Sequence, residues 1–266
     1  MNTLVIYCKS YRDDFDRLAQ LADSIKKYNV DNIPFYISVP KDDMELFKSK
    51  NIYCTELLCD DFIYKTDNKN GWYTQQMFKY YFWTLNLCKN YLCIDSDSYF
   101  IKPFYLKDFI AYDDVPYTVM HEQKELFDWA SVNMNYDIKN PFSYEKKFMM
   151  NYFHRPYTKE WDFGPSPVIW SCKVWKLFYD NYMVPGNHTF EDLIKICPSE
   201  FTWYGEALLY FKPFPILPVE PLFKVFHYHS QYLDAIKNNH TEETYKSNYF
   251  GIVMQSNFNI DNLIRY

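Results

Sequence analysis

The sequence predicts an α/β domain with a mainly parallel sheet, on three observations: apolar runs alternate with amphipathic stretches, the connections are short, and 266 residues suffice for a sizeable core. Leu4 to Cys8 is a short apolar run, followed by the loop Ser10-Tyr-Arg-Asp-Asp, and then Phe15, Leu18, Leu21, Ala22 and Ile25 recur at helical spacing. That order is strand, loop, helix. Ile33 to Val39, closed by Pro40, predicts a second strand, Asp42 to Lys48 a short helix, and Ile52 to Thr55 a third strand. From Trp72 to Cys88 the pattern is helical, with Tyr73, Met77, Tyr81 and Leu85 on one face and Gln75, Gln76 and Lys79 on another. The helix leads into an apolar strand ending at Asp95, and Val115 to Met120 predicts a further strand. Regular alternation then stops. Residues 121 to 162, with Trp129, Tyr136, Tyr144, Phe148, Phe153 and Trp161, read as an irregular or helical aromatic insertion. Pro165 to Ser171 resumes as a strand, Lys173 to Tyr182 as an amphipathic helix, and Ser199 as the N-cap of a helix through Trp203, Ala207 and Leu208. Phe214 to Leu217 could be another strand, and polar, Asn-rich sequence follows His229 to Tyr266. The whole has Rossmann-like character.

Composition excludes several classes of function. Aromatic residues make up 21% of the chain and glycine only 5 positions, which argues against disorder, solenoid repeats and a long Gly-rich loop. Net charge is -6 with no Lys/Arg block, so no nucleic-acid partner is expected. An acidic protein handling a phosphorylated ligand would need a metal ion to neutralise it. The 7 cysteines include no C-x-x-C pair and suit reduced thiols in the cytoplasm. The N-terminus lacks the charged region and apolar stretch of a signal peptide, and no run has the length of a membrane span. The expected location is cytoplasmic, with at most peripheral contact at the inner face of a membrane. Neither a P-loop nor a G-x-S-x-G nucleophile elbow is present.

The most informative run is Tyr91-Leu-Cys-Ile-Asp-Ser-Asp-Ser-Tyr-Phe-Ile101. In an extended chain Asp95 and Asp97, two apart, point the same way and converge on one cation and one ligand at the carboxyl end of a strand. The spacing alone also suits a solvated turn. A second D-x-D, Asp14-Phe15-Asp16, lies in a predicted helix. His227 and His229 are likewise two apart, and in a strand they share a face.

Upstream lies Gly71-Trp-Tyr-Thr-Gln-Gln-Met-Phe-Lys79. With the later D-S-D, this segment resembles the GT-A superfamily of nucleotide-sugar glycosyltransferases, in particular bacterial enzymes of capsule and lipopolysaccharide assembly. In that group a G-W-x-x-Q-Q-x-x-K helix precedes a strand ending in D-S-D. Without the resemblance, the favoured reading of Gln75, Gln76 and Lys79 is a solvated helix face.

The resemblance implies a single GT-A domain over residues 1–266, with a nucleotide-sugar half to about 120, an acceptor half to about 230 and a tail from 231. It implies a hexosyltransferase-like activity, moving sugar from a nucleotide-diphosphate donor to a hydroxyl of a surface glycan or glycolipid. Asp95, Gln75 and Gln76 would face the donor, and Lys79 a phosphate. Asp97, with His227 or His229, would hold Mn²⁺ or Mg²⁺. Pro198 to Glu206 resembles the late helix start where inverting members keep their base, Glu200 ahead of Glu206. Ser10 and Tyr11, in the loop after the first strand, would meet the nucleotide, and Ser166, between two prolines, the donor-sugar pocket. Two other functions remain open: a metal-dependent phosphoesterase or nucleotidyltransferase using the same carboxylates, and a non-catalytic glycan-binding module using the aromatic surface.

Overall fold

Strand β1 (Asn2–Lys9) is the centre of the molecule, because Leu4 to Cys8 are apolar at every position and so need cover on both faces. A computed structural model describes residues 1–134, 138–155 and 159–255. Tyr136 and residues 256–266, both part of the sequence reading, lie outside the described residues.

After β1 the chain enters α1 (Phe15–Tyr28), which buries Leu18, Leu21, Ala22 and Ile25 on the sheet. It returns as β2 (Phe35–Val39), parallel to β1, then passes through α2 (Met44–Ser49) to β3 (Glu56–Cys59), parallel to β2. The third strand was expected at Ile52 to Thr55 and begins one residue after it. Thr55 instead makes a double link to Phe35: its N–H donates to the Phe35 carbonyl, and its Oγ1 accepts from the Phe35 N–H. A short α3 (Asp60–Ile63) precedes α4 (Gly71–Tyr81), which the Asn70 side chain caps. The helix expected to reach Cys88 stops earlier. A 3₁₀ turn over Phe82–Leu85 follows, and Asn86 in the left-handed conformation (φ 53°) reverses the chain.

Strand β4 (Cys88–Cys93) pairs parallel with β1 on the side opposite β2. The mixed sheet is completed by β7 (Val168–Ser171), antiparallel to β4, giving the order β3-β2-β1-β4-β7. The order reverses between β1 and β4, and the carboxyl ends of those two strands therefore flank the crevice where open α/β sheets bind ligands.

Between β4 and β7 the chain forms β5 (Ser98–Phe100), β6 (Tyr117–Val119), α5 (Lys124–Asn133) and α6 (Lys139–Tyr152). The strand expected at Val115 to Met120 thus exists but lies outside the main sheet, and the aromatic insertion is largely helical. After β7 come α7 (Cys172–Phe178), a π-turn over Tyr179–Met183, α8 (Val184–Gly186), α9 (Phe190–Ile196) and α10 (Glu200–Phe211). The chain ends in β8 (Leu217–Val219), β9 (Phe223–Phe226), α11 (His229–Lys237), α12 (Glu242–Tyr245) and β10 (Gly251–Met254). Strand β8 pairs with β6, and β5, β10 and β9 form a separate sheet, so the polar tail supplies a central strand.

The aromatic excess is mainly core. Trp170, Trp175, Trp203, Tyr7, Tyr80 and Tyr91 are fully buried, and Tyr7 stacks on Phe82 at 3.9 Å. One close approach carries a prediction. A Cβ on Gly205, in α10, would run into the ring of Phe163, which is itself buried. Gly205→Ala should therefore cost about 1–3 kcal/mol through overpacking. Urea denaturation would read it; an unchanged midpoint would mean that the Phe163 ring swings aside.

Candidate functional site

The crevice at the reversal of strand order is lined by the carboxyl ends of β1 and β4. On the β1 side, Lys9 forms an ion pair with Asp60 at 3.0 Å, both side chains 7% exposed. Tyr7 and Ser38 share a buried hydrogen bond of 2.9 Å just behind them. Burial raises the Asp60 pKa against the pull of Lys9. Ser10 is buried, and neither its Oγ nor the Asp60 Oδ1 meets a hydrogen-bond partner among the described residues. Tyr11, beside it, is 45% exposed. Polar atoms left in this state at a sheet edge suit a ligand that supplies the missing bonds.

On the β4 side, the D-S-D segment is not extended. Strand β4 ends at Cys93, and Asp95, Ser96 and Asp97 form the turn into β5. The expected sharing of one strand face by Asp95 and Asp97 is therefore corrected, since a turn does not keep the two-residue repeat. Asp95 turns to Lys79, whose Nζ lies 2.7 Å from its Oδ1 and 2.9 Å from the Oε1 of Glu200. Lys79 and Glu200 are 3% and 4% exposed. Burial alone would lower the Lys79 pKa, but Asp95 and Glu200 outweigh it and raise it well above the ordinary lysine value. Lys79, expected to face a phosphate, instead ties α4 to the β4 turn and to the first residue of α10.

Gln76 and Ser166 complete the cluster. The Gln76 Oε1 accepts from the Glu200 N–H at 3.2 Å, satisfying an amide at the start of α10, while its Nε2 donates to the Trp72 carbonyl. The Ser199 side chain caps the same helix by accepting from the Thr202 N–H. Ser166 accepts from the Asp95 N–H at 2.9 Å, and the peptide bonds before Pro165 and Pro167 are both cis. The structure thus unites Gln76, Lys79, Asp95, Ser166 and Glu200. Gln75, also on α4, is half-buried and is not part of this cluster. Glu206 is held elsewhere, in a two-pronged ion pair with Arg155 at 2.6 Å for each contact. Being six residues beyond Glu200 on one helix, it falls on a different face.

His227 and His229 do not share a strand face either. Strand β9 stops at Phe226, and His229 is the first residue of α11. His227 nevertheless lies at the same end of its sheet as Asp97. The Met254 N–H donates to the Asp97 carbonyl, and Met254 pairs with Phe226, which leaves the two segments two strand spacings apart, roughly 10 Å. Burial outweighs the attraction of Asp162 and lowers the His227 pKa to about 4, so the ring is neutral at pH 7. A carboxylate with a neutral imidazole is a donor pair acceptable to Mn²⁺, whereas Mg²⁺ would use the carboxylate alone. Among the described residues no three His, Cys, Asp or Glu side chains already form a metal-holding group. Asp97 and His227 would give such an ion one carboxylate and one imidazole, and its other ligands would have to come from outside the described side chains.

The His227 shift has a sign that can be tested. Between its unfolded value near 6.5 and about 4, the unfolded chain binds the extra proton. The stability contribution is whole above pH 6.5 and lost as pH falls through about 4; discounted for partial exposure, it amounts to about 2 kcal/mol. The difference between wild type and His227→Gln in urea denaturation at pH 7 and pH 4.5 should show it, and parallel pH profiles would contradict it.

Sequence reasoning missed four residues. Asp14, part of the other D-x-D, accepts from the Ser96 hydroxyl at 3.0 Å and so braces the turn. Asp162 accepts from the Gly164 N–H and pairs with buried Lys146 at 2.9 Å. His121 meets the Gly164 carbonyl through Nε2 at 2.7 Å, while its Nδ1 accepts from the Gln123 N–H, which puts the ring proton on Nε2. Asp162 and His121 hold the start of the Gly164-Pro-Ser-Pro167 segment, and the separation of 43 residues between His121 and Gly164 hid that link.

Beside that segment opens a cavity of about 310 Å³, with His121, Trp161, Pro165 and His227 among its walls. No helix among the described residues is long and apolar enough to cross a membrane.

Fold and site define an α/β protein with a buried acid-base cluster and a flanking cavity at the carboxyl edge of a mixed sheet. The chain belongs to DUF6492, a family of unknown function, whose family model matches residues 3–181. That match includes Lys79, Asp95, Asp97 and Ser166 and stops before Glu200 and the late histidines. No curated protein matches the chain.

Proposed function

We propose that the chain is a single-domain glycosyltransferase of GT-A type, moving a sugar from a nucleotide-diphosphate donor to a hydroxyl of a capsule or lipopolysaccharide glycan at the cytoplasmic side of a membrane. The observation that carries this reading is the Asp95–Lys79–Glu200 cluster at the reversal of strand order. Two carboxylates fixed by one buried ammonium, with Ser166 and Gln76 setting the backbone around them, make a rigid acid-base site.

In this reading Ser10, Tyr11 and the Lys9–Asp60 pair receive the nucleotide, and Asp95 orients the donor sugar. Glu200 takes the proton from the acceptor hydroxyl as its oxygen bonds to the anomeric carbon; the bond from that carbon to phosphate breaks, and the diphosphate departs with the electron pair. Lys79 holds Glu200 in place through their 2.9 Å ion pair. Asp97 would hold Mn²⁺ or Mg²⁺, with His227 added in the case of Mn²⁺; the ion's chemistry when bound is to neutralise charge on the diphosphate.

A panel of nucleotide sugars in a thermal-shift assay tests the reading, run with Mn²⁺ and then with excess chelator. Stabilisation by one donor class, abolished by chelator and in Asp97→Ala, is the expected result. Indifference to every donor and metal would sink the proposal.

A further inference from the structure

Ser10, Tyr11, Asp60 and Asp95, assigned above to the donor, do not line the cavity beside the acid-base cluster; of the donor-side groups only His227, the proposed metal ligand, reaches its wall. Its wall includes Pro165, whose neighbour Ser166 accepts from the Asp95 N–H, so a ligand seated there abuts the catalytic turn. His121 belongs to the same wall and holds the Gly164 carbonyl in place.

We infer that this cavity is the acceptor subsite and that it takes an uncharged sugar ring, an inference that rests on the transferase reading above. Three observations carry it. First, about 310 Å³ lies at the small end of the range for ligand pockets, enough for a small polyhydroxylated ligand and not for a bulky one. Second, the wall combines the indole of Trp161 with polar groups. Gln123 is one of them, and its Oε1 is buried without a hydrogen-bond partner among the described residues, an acceptor that a ligand hydroxyl would satisfy. Gln123 is also held at φ 54°, a conformation unusual for a residue other than glycine.

Third, the charged side chains on the cavity wall are mainly acidic, with Glu122, Glu125 and Glu220 set against Lys124. Lys124 and Lys159 both pair with Glu122, Lys224 with Glu125, and Lys146 with Asp162. Glu220 is 85% exposed, and its carboxylate lies 3.9 Å from the His121 ring. A sugar carboxylate or phosphate would meet three carboxylates on the wall, and lysines that already have acidic partners. A neutral ring meets an aromatic surface and hydrogen-bonding groups of both kinds.

The test is binding of neutral oligosaccharides, and of uronic-acid oligosaccharides of the same length, to the full chain by calorimetry, without donor or metal. Neutral sugars should bind at least about tenfold more tightly than acidic ones. Trp161→Ala should weaken the neutral sugar by about tenfold, and Glu220→Lys, at an exposed position where folding is not at stake, should narrow the preference against acidic sugars. Equal or tighter binding of acidic sugars would overturn the inference. Absence of any sugar binding, in a chain that is still stabilised by a nucleotide sugar, would overturn it while leaving the transferase reading intact. Neutral-sugar binding in a chain indifferent to every donor would leave a sugar site but overturn both its acceptor role and the transfer reaction.

Discussion

Lys79→Met is expected to lower stability by about 3–5 kcal/mol, because it leaves a buried carboxylate without its cation. Lys79 is 3% exposed and lies between the Asp95 and Glu200 carboxylates. Methionine fills a similar volume, so the loss reports charge rather than a cavity. Of the two acids, Glu200 suffers more: its side chain is 5% exposed, against 30% for Asp95, which retains some contact with water. The penalty is electrostatic, so it should scale with the carboxylate charge left uncompensated. It should therefore shrink in the double variant with Glu200→Gln. Urea denaturation of the four proteins of that cycle measures both effects. A loss below about 1 kcal/mol would mean that the ion pairs contribute no more than exposed ones.

Glu200→Gln is the variant expected to separate catalysis from stability. Lys79 keeps its 2.7 Å contact with Asp95, and the Gln76 Oε1 still receives the backbone N–H of residue 200. The fold should therefore survive with little change, while transfer falls by about 10²–10⁴, the usual worth of a general base. Donor binding should be unaffected, because the base acts on the acceptor. Glu206→Gln should behave in the opposite way. Its carboxylate is 1% exposed and answers both prongs of Arg155, so its loss is one of stability. A Glu200→Gln rate within a few-fold of wild type would exclude Glu200 as the base.

Much of the fold was legible because its strongest signals are local. The apolar run at Leu4 to Cys8 and the helical spacing from Phe15 to Ile25 predict β1 and α1, and both are found. What the sequence hid depends on partners far along the chain. Strand β10 is only Gly251–Met254, in a polar tail, and is defined by pairing with β5 and β9. The third strand was displaced because Ile52 to Thr55 has the right residues, while Thr55 is used to cap the end of β2. Lys79 and Gln76 could be singled out on their helix, but a solvated face and a buried cluster look alike until α10 is brought against α4. Glu200 and Glu206 sit on one helix, and only burial against different neighbours separates their roles. For the paired aspartates and histidines, the two-residue spacing was sound and the assumed extended backbone was not. Asp95 and Asp97 lie in a turn, and His227 and His229 straddle a helix start.

The most direct test of the central claim, that the Asp95–Lys79–Glu200 cluster is a glycosyl-transfer site, is mass spectrometry of a neutral acceptor glycan incubated with the chain, Mn²⁺ and a panel of nucleotide sugars. The expected result is an acceptor heavier by one sugar residue, with an equivalent amount of nucleotide diphosphate, from one donor and not with Glu200→Gln. Donor cleavage that leaves every acceptor unmodified, or the same product from the Glu200→Gln variant at an undiminished rate, would contradict it.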